Sequence, residues 1–127
     1  MKRLLVVTAA LETGAGTMLM GWPSAVATIV VGAPLVAPAA VSLVRVGAAG
    51  LLALGVACWL ARRDAQSVAA SGLVAALLLY NVGAAVVLGA AGSQLRPAGV
   101  VLWSAVVLHG AMSAWCVACL LRQPARL

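Results

Sequence analysis

Four long apolar runs take up most of this 127-residue sequence and leave it few folds to choose from. They lie at about residues 4–20, 41–61, 68–91 and 98–121. A helix needs roughly 20 residues to cross the hydrocarbon of a bilayer. Within lipid every backbone N–H and C=O must be paired inside the segment, which a helix achieves alone and an open strand does not. The sequence therefore reads as all-α: a four-helix transmembrane bundle forming one integral-membrane domain over residues 1–127. Four crossings with short connections leave no room for a soluble domain. Composition agrees. The chain is 65% hydrophobic and only 8% charged, whereas soluble domains run near half and about a quarter. A soluble chain of this size buries too small a share of its surface to hide so much apolar area.

The breaks between runs carry the punctuation. Gly21-Trp22-Pro23-Ser24 ends the first run, since proline stops a helix and tryptophan prefers the membrane interface. The stretch after it is too short to span, and Gly32, Pro34 and Pro38 follow. Residues 24–31 read as a short interfacial helix at the outer surface, with Ser24 as N-cap; a longer, kinked first helix is the alternative. Arg62-Arg63-Asp64 stops the second run, Gly92 to Pro97 is a polar turn, and Arg122 to Leu127 is a basic tail. Lys2 and Arg3 before an apolar run resemble the start of a signal peptide. Glu12 interrupts that run and no clean cleavage site follows, so it reads as a retained first helix.

The net charge of +6 does not point to nucleic acid, because the basic residues sit in small groups between apolar runs. They read as topology signals and contacts for anionic headgroups. With the N-terminus inside, Lys2, Arg3, Arg62, Arg63, Arg122 and Arg126 fall on the inner side, and only Arg45 and Arg96 on the outer. This predicts cytoplasmic N- and C-termini in a bacterial inner (plasma) membrane. Trp22 and Trp103 then fall near one interface, and Trp59 and Trp115 near the other. For helix packing, small residues recur at suitable spacing: Ala85 and Gly89, then Gly110, Ala114 and Ala118, with Gly47, Gly50 and Gly55 on the second span.

Glu12 is the most unusual residue. Eight positions past Leu4, it lies about 12 Å into the membrane at 1.5 Å per residue. A carboxylate there costs a few kcal/mol and must face the bundle interior and find a partner or stay protonated. His109 is the obvious partner; Tyr80 and Asn81 reach similar depth, and Arg45 sits higher but has a long side chain. These five form a candidate cluster for a ligand or proton. The alternative is a hydrogen-bond network that fixes helix register, worth roughly 0.6 kcal/mol per contact in membranes.

Cysteine chemistry is a further candidate. Trp115-Cys116-Val117-Ala118-Cys119 is a WCxxC string, and Cys58 lies at a similar level. Residues three apart on a helix share a face, so Cys116 and Cys119 are redox candidates. Free cysteines also pack as small hydrophobes. The stripe His109, Met112, Cys116, Cys119 offers soft ligands suited to Cu(I) or Zn, with Met18 and Met20 on the first span as further donors. A packed helix seam shows the same spacing, and the sequence is read as having no metal site and no cofactor. P-loops, dinucleotide fingerprints, zinc-protease motifs and nucleophile elbows are absent.

Two resemblances add to this. Leu11-Glu12-Thr13-Gly14 followed by Gly16-Thr17-Met18-Leu19-Met20 resembles the first helix of small multidrug resistance transporters. That likeness implies a proton- and drug-binding role for Glu12. Over more of the chain, Arg45-Val46-Gly47-Ala48, Leu52, Leu54-Gly55 and Trp59-Leu60-Ala61-Arg62 resemble the DoxX-like small four-helix bacterial membrane proteins. Leu79-Tyr80-Asn81-Val82-Gly83 and the His109 helix fit the same group, which implies a four-helix bundle. The sequence thus predicts a non-enzymatic membrane module that packs with another membrane protein or with itself as a homo-oligomer. A small-ligand or proton-coupled carrier centred on Glu12 is second, and a thiol redox protein third. The lipid bilayer is the expected partner throughout.

Overall fold

The computed structural model describes residues 1–95 and 100–122. Its described elements are all helical: α1 (Lys2–Gly21), α2 (Pro23–Val31), α3 (Pro38–Ala61), a 3₁₀ turn at Arg62–Asp64, α4 (Val68–Gln94) and α5 (Val100–Leu121). Four of these are long and apolar enough to cross a membrane. The all-α, four-span reading stands, and the chain is a small multi-pass membrane protein. The expected start of the last span at Ala98, Arg96 in the turn before it, and the tail that holds Arg126 lie outside the described residues.

Local chemistry explains the boundaries. Trp22 breaks the chain with φ −131° and ψ 57°, so α1 and α2 are separate helices and not one kinked one. Pro23 occupies the first turn of α2, where its missing N–H costs nothing. Trp22, not Ser24, is therefore the N-cap of α2. The Ser24 hydroxyl donates instead to the Leu35 carbonyl at 3.0 Å, fastening the segment that follows. Gly32 ends α2 in the left-handed region at φ 83°, a conformation glycine adopts without a Cβ penalty. Pro38 opens α3, three residues before the expected start. Ser67 caps α4 by accepting from the Ala70 N–H at 3.1 Å. Gly92, Ser93 and Gln94, expected in a turn, continue α4 instead.

The helices associate as two antiparallel pairs, α1 with α3 and α4 with α5. In the first pair the backbones approach closely at two levels. A Cβ on Gly55 would fall against the Thr13 hydroxyl, 3.1 Å from the Thr13 nitrogen and 3.2 Å from the Ala9 carbonyl oxygen. A Cβ on Gly16 would lie 2.9 Å from the Ala48 carbonyl oxygen. In the second pair, Gly92 makes room for Leu102 and Trp103. Of the glycines singled out by spacing, only Gly55 serves this way. Gly47, Gly50, Gly89 and Gly110 face open space.

One cluster joins all four spans: Leu4, Leu5 and Ala9 of α1, Cys58 of α3, Val74 and Leu77 of α4, and Met112 and Cys116 of α5. It uses the first half of α1 and α4 and the last half of α3 and α5. Residues 2 and 121 therefore lie at the same end of the bundle. Trp59 and Trp115 lie towards that end and Trp22 and Trp103 towards the other, each of them exposed at its helix surface. Arg62 stacks on the Trp59 ring with its guanidinium carbon 3.3 Å from the centroid, and also donates to the Trp59 carbonyl.

The close α1–α3 contact gives a direct test. Gly55→Ala should destabilise the fold by about 1–3 kcal/mol, because backbone atoms are among those in the way. Gly47→Ala, in the interior of α3 with nothing near its Cβ, should leave the fold as stable as the parent or up to about 1 kcal/mol more stable. Unfolding in mixed micelles measures both.

Candidate functional site

The stripe that turns α1 inward runs Leu5, Thr8, Ala9, Glu12 and Gly16, a three-to-four-residue spacing that keeps one face against the bundle. Glu12 lies on it and is 6% exposed. On α4 the buried stripe is Ala70, Val74, Leu77 and Asn81. Asn81 is therefore in line with the core residues, while Tyr80 sits half-buried beside them. On α5, His109, Met112 and Cys116 follow the same spacing.

These three helices bring Glu12, Tyr80, Asn81 and His109 together. The Tyr80 hydroxyl is the polar group that faces the Glu12 carboxyl from α4. Depth along the sequence favours His109 for that place. The His109 ring instead meets Tyr80 edge-on, with centroids 5.7 Å apart and planes at 85°. Its Nδ1 lies 2.8 Å from Asn81 Oδ1. The Asn81 amide nitrogen donates to the Leu77 carbonyl at 2.8 Å, which fixes the amide orientation. Oδ1 must then accept, so Nδ1 of His109 carries the proton and Nε2 is the position left for chemistry. The chain of contacts links α1 to α4 through Glu12 and Tyr80, and α4 to α5 through Asn81 and His109.

Thr8, one turn before Glu12 on the same face, has a hydroxyl with no hydrogen-bond partner among the described residues and is 1% exposed. Sequence reasoning passes it over. Its i, i+4 spacing from Glu12 is the signal that marks it, since an inward Glu12 carries Thr8 and Gly16 inward with it.

Arg45 is not part of this group. It is exposed near the other end of α3, and its Nε donates to the Met20 carbonyl at 3.3 Å. A cation there satisfies one of the orphan carbonyls that end α1 and suits the negative end of the helix dipole. Met20 is eight residues from Glu12, or about 12 Å along α1.

The three cysteines are free thiols. Cys58 and Cys116 are buried in the four-helix core and Cys119 packs at its edge. Among the described residues no group of three His, Cys, Asp or Glu side chains gathers as metal ligands. Met112 and Cys116 belong to the apolar cluster, while His109 turns to Asn81 and Tyr80, so the soft-ligand stripe does not close around one point.

No family model, no curated protein and no solved structure matches the chain.

The Asn81–His109 pair is measurable. A double-mutant cycle of Asn81→Ala and His109→Ala should give a coupling of about 0.6 kcal/mol, and no more than about 1.7, the range of interhelical hydrogen bonds in membranes. Chemical unfolding of the four proteins in bicelles supplies the values. Zero coupling would dismiss the bond.

Proposed function

We propose that the protein is a non-enzymatic membrane module, a bundle that packs against another membrane protein or against itself. The observation that carries this reading is the way the interior polar groups engage each other. Glu12 meets Tyr80, Asn81 meets Leu77 and His109, and the apolar groove on the α1–α3 surface is lined by none of them. A binding site commonly has a few polar groups converging on a concave space; here they converge on one another. The outward surface has the opposite character. Gly47, Gly50, Gly83, Gly89 and Gly110 have nothing near their Cβ positions, and large aliphatic side chains flank them. Small residues on such a surface let another helix approach closely in lipid.

A second reading is favoured by one observation: Glu12 is an ionisable side chain 6% exposed in the middle of a membrane span. Such groups mark proton or ligand pathways by default. In this reading Glu12 and Tyr80 would bind and release a proton or a small ligand, as the likeness of α1 to small multidrug resistance transporters implies. The basic residues support placing both termini in the cytoplasm of a bacterium whose inner membrane holds the protein, and the DoxX-like resemblance accords with that setting.

Two experiments separate the readings. Purification in mild detergent should yield a homo-oligomer or a stoichiometric complex; a monodisperse monomer would count against the packing module. In sealed vesicles under a pH gradient, Glu12→Gln keeps an acceptor for Tyr80 and should leave proton flux unchanged from the parent. Loss of a parental flux on that substitution, with the fold intact, would establish the carrier.

A further inference from the structure

An open groove of about 680 Å³ runs along the outer surface of the α1–α3 pair. Val6, Ala10, Gly14 and Met18 of α1 form one wall, and Val56 and Trp59 of α3 the other. From Val6 to Met18 the groove rises about 18 Å at 1.5 Å per residue. That is close to the ~15 Å depth of one leaflet's hydrocarbon. Its volume lies in the range of small-molecule sites, about 300–1,000 Å³.

The charge is at one end. Trp59, which lines the groove at the end nearest residue 62, carries the Arg62 guanidinium on its face. α1 packs beside the 3₁₀ turn Arg62–Asp64, so Lys2 and Arg3 at its start lie at the same end of the bundle as Arg62 and Arg63. Four cations thus gather at that end of the bundle with the carboxylate of Asp64 among the described residues, and Lys2, Arg3 and Arg63 are exposed. An apolar channel one leaflet deep, with a concentrated positive charge at the headgroup level, complements one kind of molecule.

We propose that this groove is a binding site for an anionic glycerophospholipid. One acyl chain lies along the α1–α3 seam, and the phosphate is held by Arg62 together with Lys2 and Arg3. Trp59 has two roles there. Its ring forms the wall against the upper part of the chain, and its face holds Arg62 in place for the phosphate. Glu12, Tyr80, Asn81 and His109 do not line the site, which borders the interior only at Ala9.

Native mass spectrometry of the full chain in detergent, with palmitoyl-oleoyl phosphatidylglycerol or the matching phosphatidylcholine added, tests this. One phosphatidylglycerol per chain should be retained, at least about fivefold over phosphatidylcholine, the effect of a single cation at an anionic surface. Arg62→Gln should remove most of that preference. Gly14→Trp fills the groove from a position with nothing near its Cβ and should abolish retention of both lipids. Val87→Trp, on an exposed face of α4, should leave retention unchanged. Circular dichroism checks that each variant is folded, and the Arg62 and Gly14 variants test head and tail separately. Equal retention of the two lipids would overturn the proposal. So would a folded Gly14→Trp that retains phosphatidylglycerol as the parent does, or one that changes only the oligomeric mass.

Discussion

Lipid supplies no hydrophobic force to push one span against another, so this fold depends on how closely two backbones can approach. The α1–α3 contact at Gly55 and Gly16 is where that approach is greatest, with backbone atoms in the space a side chain would need. The dispersion attractions made there are individually small and collectively decisive. Everything that turns α1 inward follows from the same register. Once Gly16 faces Ala48 and Leu52, the residues one and two turns earlier, Glu12 and Thr8, must face the bundle too.

The polar network is a second-order consequence of that packing. Burying Glu12 in hydrocarbon is unfavourable unless a polar group meets it, and Tyr80 of the opposite helix pair is the polar side chain beside it. The two pairs touch chiefly through one apolar cluster near the Trp59 end. Glu12–Tyr80 crosses between the pairs just beyond it. Asn81–His109 then ties α4 to α5 at the same depth. The bundle is thus closed by aliphatic contact at one end and by directional bonds at mid-depth, which specify rotation in a way that alanine, valine and leucine alone do not.

Much of the fold is legible in the sequence because hydropathy and proline act locally. The runs ending at Met20, Ala61 and Leu121 fall within a residue of the observed helix ends, and the inward facing of Glu12 follows from the cost of a carboxylate in lipid. The partners are harder to read. Depth along a helix can be taken from residue number, but rotation about its axis cannot, so the choice between His109 and Tyr80 for Glu12 turns on the register of two helix pairs. The same ambiguity hides Gly16 and Gly92 and promotes Gly89 and Gly110: the sequence shows which residues are small, while the crossing point decides which are used. Ser24 misleads because serine is a good cap in general, yet proline one position earlier already fixes where α2 begins.

The amide of Asn81 has a consequence for the imidazole it faces. Because the carboxamide is pinned by Leu77, the ring can gain a proton only on its far nitrogen, and doing so breaks no existing bond. The α4–α5 linkage is therefore indifferent to the charge state of His109. The bond to Asn81 thus does not draw on Nε2, unlike a pair that relies on the neutral ring as acceptor, which a second proton would unfasten.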